Sequence, residues 1–215
     1  MDTYGLQMNY PRYSLQVVGS TMSGFGSRAS DVDICLMIRR CEVDQRIEAV
    51  DRLHELQASL QKIPYMENIE LIYAKVPILK FRDRSRNLEV DLNCNNSVGI
   101  RNTHLLFCYS QLDWRVKPLV LVVKLWAQYH GINDAKNMTI SSYSLVLMVI
   151  HYLQFGCKEP VLPCLHQMYP EKFSPYLDVE KIRVNEQIPK WDSRNTDCLG
   201  ELLIGFLEYY ARKFE

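Results

Sequence analysis

Two periodicities divide this chain. In the first half, short runs rich in apolar and β-branched residues predict strands over Ser14 to Val18, Asp33 to Ile38, Ile69 to Tyr73, Val76 to Phe81 and Leu88 to Leu92, able to pair as one sheet. Between the second and third of these, Val43, Ile47, Val50, Leu53, Leu56 and Leu60 recur at helical spacing with charge on the opposite face, predicting a helix over Val43 to Leu60. That half is α+β or α/β. After about Ser97 the period lengthens, predicting helices over Thr103 to Leu112, Pro118 to Tyr129, Ser141 to Phe155 and Leu199 to Phe214. Pro160, Pro163, Pro170, Pro175 and Pro189 break the segment between the last two into short helices and loops. A strand-rich domain followed by a helical one is expected.

Composition narrows the class. With 215 residues, 47% of them hydrophobic, the chain can fill one large core or two small ones. No apolar run approaches the roughly 20 residues that span a bilayer, and Met1 to Gly5 lacks the start of a secretory signal, so a soluble intracellular protein is expected. The seven cysteines are odd in number and scattered without a Cys-x-x-Cys pair, which predicts reduced, buried thiols and excludes a zinc site built on them. Charge is balanced at 25 basic and 25 acidic residues, so no whole-chain field draws in nucleic acid. Local basic density occurs in "KFRDRSRN", Lys80 to Asn87, which reads as a solvated turn between strands, with an RNA contact as the alternative.

The stretch "VVGSTMSGFGSRASDVDICLMI", Val17 to Ile38, carries the chemistry. It reads as strand, glycine turn, surface crossing and strand. Residues two apart on a strand share a face, so Asp31 and Asp33 converge at the start of the second strand. Paired carboxylates repel unless a cation neutralises them, and Mg2+ takes oxygen ligands while leaving part of its shell to phosphates. Gly19 allows a phosphate close to the backbone, and the Ser20 hydroxyl and nearby amides can donate to it. "NLEVDLNCNN" supplies a third carboxylate, Asp91, which a neighbouring strand could carry beside the pair, as two-metal phosphoryl transfer requires. Neither a P-loop nor Gly-x-Gly-x-x-Gly is present. An isolated Asp-x-Asp is more simply a turn residue followed by a solvated strand residue; the whole constellation favours metal-dependent phosphoryl transfer.

"VGSTMSGFGSRASDVDICL" resembles the signature of the DNA polymerase β-like nucleotidyltransferases. "VDLNCNNSVGIRNTHLL", "RVKPLVLVVKLWAQYHGIND", "TISSYSLVLMVIHYLQ" and "NTDCLGELLIGFLEYYARKFE" resemble, in order and spacing, the terminal nucleotidyltransferases that extend RNA 3′ ends, most of all the cytoplasmic, germline-type poly(A) polymerases. The likeness runs from about Tyr13 onward. It implies an α+β fold: a mixed-sheet catalytic domain at 12–97 and a mostly helical central domain at 98–215, with 1–11 packed on the latter and a cleft between the two.

The resemblance places Asp31, Asp33 and Asp91 in a catalytic metal-binding triad for Mg2+, with Mn2+ as a substitute, and implies that Asp91 also favours deprotonation of the RNA 3′-hydroxyl. It assigns Gly19 and Ser20 to the triphosphate, and Gly99, Asn102 and Thr103 to the region of the ribose. Asn102-Thr103 also reads as a helix start. Lys117 and Lys124 lie seven apart on one helix face, and the resemblance singles out Lys124 for the triphosphate. Gln128 stands where relatives often carry a second phosphate-directed lysine. Ser142 is implied as a triphosphate contact and Tyr143 as the ring stacked on the base; periodicity alone would put Tyr143 in the core. Trp126, His130, His151, Met138 and Met148 read as packing or surface residues.

The activity implied is template-independent addition of AMP from ATP to RNA 3′ ends, releasing pyrophosphate. Terminal uridylyl transfer is a near alternative, since in the family base choice depends partly on a loop expected beyond Glu215. A scaffold with a vestigial site is a more distant one. Balanced charge and the lack of an RNA-binding module imply an RNA-binding protein partner in the cytoplasm, with no membrane association.

Overall fold

The computed structural model describes residues 14–27, 30–38 and 43–214. The expectation for 1–11 and the start of the resemblance at Tyr13 lie outside them. The described residues form two compact units. One runs up to His104 and takes back Leu177–Val184; the other comprises Leu105–Tyr176 and the described residues from Asn185 on.

The first unit is built on a five-stranded mixed sheet: β1 (Ser14–Val18), β2 (Val32–Met37), β3 (Met66–Ile72), β4 (Ile78–Asp83) and β5 (Leu88–Cys94), in spatial order β1-β2-β5-β4-β3. Only the β2–β5 pairing is parallel. Helix α1 (Gly19–Ser23) is a single turn between β1 and β2, and α2 (Glu48–Leu60) returns the chain across one sheet face. There Leu53, Leu56 and Leu60 of α2 bury against Ile34, Leu36, Leu79, Phe81, Val90 and Leu92. Because side chains alternate, the odd-numbered partners on β2 and β5, Asp33, Cys35, Asp91 and Asn93, face the other way. On that side Val18 and Cys35 pack with Ile100, Ile182 and Val184.

The expected helix at Val43 begins later, at Glu48, because the Asp44 carboxylate accepts the Arg46 and Ile47 amides and closes a side-chain turn instead. Helix α3 (Ser97–Leu112) begins earlier than Thr103: the Asn96 side chain accepts the Gly99 amide at 3.1 Å and starts the helix there. Asn102 and Thr103 therefore lie inside a helix, not at its start.

"KFRDRSRN" is not a solvated turn throughout. Lys80 to Asp83 complete β4, with Phe81 and Asp83 buried, and only Arg84 to Asn87 turn. Arg82, Arg84 and Arg86 are paired with Glu89, Glu67 and Asp83 at 3.6, 3.0 and 3.1 Å, so much of the basic charge is answered locally.

The second unit is helical: α4 (Val116–Tyr129), α5 (Ser142–His151), a π-helical turn at Tyr152–Gly156, α6 (Leu165–Met168) and α7 (Leu199–Arg212). Leu119, Val120, Val123 and Ala127 of α4, Leu145, Val149 and Ile150 of α5, and Leu202 and Phe206 of α7 are buried. Buried Arg115 ties the approach to α4 to the loop before α7, donating to Asp113, to the Asn195 carbonyl and side chain, and to the Asp197 carbonyl at 2.8–3.1 Å. Among the described residues no helix is long and apolar enough to cross a membrane.

Candidate active site

The strand register brings the predicted carboxylates together. In the parallel β2–β5 ladder Asp33 is the partner of Asp91, and Asp31 immediately precedes β2. In the antiparallel β5–β4 ladder Asp91 is the partner of Lys80. Asp33, Asp91 and Lys80 thus form one row across three adjacent strands, on the face opposite α2.

Lys80 is the residue that sequence reasoning misses. Its Nζ donates to Asp31 Oδ2 at 2.7 Å and to Asp91 Oδ1 at 3.2 Å, and the hydrogen bond to Asp31 chiefly holds its own pKa above the usual lysine value. The alternation of Leu79, Lys80 and Phe81 shows that Lys80 leaves the core face; only the cross-strand register shows that carboxylates meet it.

Asp33 is the strained member. Burial first, then the charges of Asp91 and Asp31, push its carboxyl up from 3.8 to about 6, partly offset by Lys80 and by the Ser20 amide that donates to it. Three carboxylates against one ammonium leave the cluster short of positive charge. That donor set of hard oxygens suits a divalent cation, and the ammonium between two of the carboxylates stands in for one. Among the described residues no three His, Cys, Asp or Glu groups are already arranged to hold a metal.

Gly19 is set by the same geometry. Its φ is +76°, and a Cβ there would fall 1.9 Å from Asp33 Oδ2. The Gly19 amide donates to Thr103 Oγ1 at 2.9 Å, and that hydroxyl donates to the Gly99 carbonyl at 2.6 Å. Buried Thr103 thereby couples the first turns of α3 to the Gly19 turn and, through it, to the Asp33 carboxylate. Its hydroxyl is engaged within the fold, as are the amide and carbonyl of Gly99. Asn102 is half-buried on the same helix. Thr103→Val, which keeps the shape but loses both hydrogen bonds, is expected to lower unfolding free energy by about 1–2 kcal/mol in denaturant titration, with Thr103→Ser recovering most of it.

The remaining predicted residues belong to the second unit. Lys124 is half-buried on α4, and burial lowers its pKa. Lys117 lies two turns earlier on that helix. Ser141 caps α5 by accepting the Ser144 amide, and Ser142 donates to Asn133 Oδ1 at 3.1 Å. Tyr143 is 39% exposed, so its ring is not a core residue as periodicity alone would have it.

The family model for the central palm domain of mitochondrial-like poly(A) RNA polymerases matches residues 3–111. Poly(A) RNA polymerase gld-2 homolog A of Drosophila melanogaster is 56% identical over 206 residues, 94% of this chain but 15% of that protein. Among solved structures, the GLD-2/RNP-8 complex superposes at a TM-score of 0.90 with 48% identity, covering 99% of this chain and 66% of that one. The Cid1 poly(U) polymerase, solved with Mg and 3′-dATP bound, superposes at 0.75 with 33% identity, covering 99% of this chain and 65% of that one. The matched fold, and sequence identity running through both units, show that the chain belongs to the poly(A) RNA polymerase family of DNA polymerase β-like nucleotidyltransferases.

Proposed function

We propose that the chain carries the catalytic core of a template-independent RNA 3′-terminal adenylyltransferase, extending poly(A) tails from ATP and releasing pyrophosphate. The observation that supports this best is the row made by Asp33 and Asp91, with Asp31 beside it and the Gly19 turn against Asp33. Asp31, Asp33 and Asp91 would hold the metal, Mg2+ or Mn2+ in its place, which would polarise the α-phosphate and stabilise charge on the attacking and leaving oxygens. Asp91 also favours deprotonation of the RNA 3′-hydroxyl. The Gly19 turn admits the triphosphate close to the backbone, with the Ser20 hydroxyl as a donor, while Asn102 hydrogen-bonds the ribose and Gly99 and Thr103 fix the helix that carries it. Lys124 and Ser142 contact triphosphate oxygens, and Tyr143 stacks on the base, a contact that contributes roughly 1–3 kcal/mol.

The GLD-2 relative was solved in complex with RNP-8. Balanced charge in this chain favours a protein partner here too, an RNA-binding protein that delivers the RNA in the cytoplasm. The likeness to a poly(U) polymerase keeps uridylyl transfer as the second reading.

Purified protein, Mg2+, a labelled RNA oligonucleotide and each nucleoside triphosphate in turn test the proposal. Extension with ATP, lost in Asp91→Ala, supports it; preference for UTP moves the assignment to uridylyl transfer. No extension, even with the RNA-binding partner supplied, leaves the scaffold reading.

A further inference from the structure

We infer that Lys80 is an internal counterion occupying the place of a divalent cation, so that metal loading requires its displacement and is coupled to arrival of the triphosphate. The inference rests on Asp31, Asp33 and Asp91 being the metal ligands. Lys80 reaches two of these carboxylates at once, from the neighbouring strand of the same row. A cation bridging Asp31 and Asp91 competes with those two hydrogen bonds, because the Nζ sits between the carboxylates against one oxygen of each.

The side chain is built to leave. It is 34% exposed, on a flexible four-carbon stem whose neighbours Leu79 and Phe81 are fixed in the opposite face of the sheet. Withdrawal moves the ammonium by a few ångströms while β4 stays paired. Without an incoming anion the withdrawn ammonium would remain close enough to repel a divalent cation. A triphosphate changes that balance, since it brings anionic oxygens to the metal and offers Lys80 a new partner. The protein alone then holds its three carboxylates partly neutralised and binds metal weakly, and nucleotide and metal load together.

Direct Mn2+ binding, read by electron paramagnetic resonance of the free ion, tests this without reference to activity. Wild type, Lys80→Met, Lys80→Gln, Lys80→Arg and Asp91→Ala are each titrated with and without a non-hydrolysable ATP analogue. Lys80→Met and Lys80→Gln are expected to bind Mn2+ about five- to tenfold more tightly than wild type in the absence of nucleotide, as removal of one positive charge a few ångströms away implies. The analogue should then tighten Mn2+ binding less in them than in wild type, and Lys80→Arg should behave as wild type. Thermal melting gives a second reading: the neutral variants should melt lower without metal and be raised further by Mn2+ than wild type is. Mn2+ binding in Lys80→Met and Lys80→Gln no tighter than in wild type, with Asp91→Ala still weakening it, would overturn the inference and leave Lys80 a structural ion pair. Mn2+ binding indifferent to Asp91→Ala in every background would instead overturn the metal-ligand reading on which it rests.

Discussion

Asp33→Ala and Asp91→Ala are each expected to lose nucleotide incorporation by about 10³-fold or more, since a metal's charge stabilisation of phosphoryl transfer amounts to several kcal/mol and each 1.4 kcal/mol is tenfold in rate. Primer extension under single-turnover conditions checks this. The loss should come without unfolding, and for Asp33 with the reverse. The Asp33 carboxyl titrates at about 6 in the folded protein, against 3.8 ordinarily, because burial and the charges of Asp91 and Asp31 oppose its ionisation. Below about pH 3 it is protonated folded and unfolded alike, and has no effect on stability. Between about pH 4 and 6 the unfolded chain releases this proton while the folded form keeps it, so stability falls across that window and levels off above about 6. The full shift corresponds to roughly 3 kcal/mol, which water reaching the partly exposed carboxyl reduces to about 1–2 kcal/mol. Metal-free Asp33→Asn should therefore be more stable than wild type at pH 8 by that amount, with the difference gone by about pH 3. Denaturant unfolding at the two pH values measures it.

Gly19→Ala is the second large effect. At φ +76° an alanine costs about 1–2 kcal/mol of backbone strain. Its methyl group would also sit 1.9 Å from Asp33 Oδ2 and 2.9 Å from Asp33 Cβ. Either the carboxylate turns out of the row it shares with Asp91, or the turn held by Thr103 moves. A displacement of that size in a phosphoryl-transfer site lowers turnover by about 100-fold. Gly131 separates the two causes. Its φ is +67°, yet an added Cβ there meets nothing within 4 Å. Gly131→Ala should lose similar stability and keep its activity. Parallel measurement of melting temperature and primer extension on both variants decides whether the steric contact with Asp33 is what matters.

The elements were legible where their cause is local. The Ser14 to Val18 strand is found as read, and five strands and the main helices lie close to their expected places, because side-chain alternation and helical spacing act over a few residues. Errors fell at boundaries where a side chain captured backbone amides. Asp44 delayed α2 and Asn96 advanced α3, and such captures depend on rotamers that periodicity does not carry.

The candidate site divides in the same way. That Asp31 and Asp33 share a face, that Gly19 permits an unusual turn, and that Asp91 sits in a strand were all readable from the chain, since each concerns residues within one element or turn. That Asp91 stands opposite Asp33, that Lys80 completes the row, and that Thr103 holds the Gly19 amide were decided by the tertiary structure. These pairings join residues 58, 11 and 84 positions apart, by simple subtraction of their numbers. Strand order and register set them, and a register slip by one residue would send Lys80 into the core face and Phe81 toward the carboxylates. The sequence by itself determined which chemical groups the site contains; folding decided which of them touch, because burial of Leu79, Phe81, Val90 and Leu92 beneath α2 turns Asp33, Asp91 and Lys80 to the other face, and the strand register sets them side by side there.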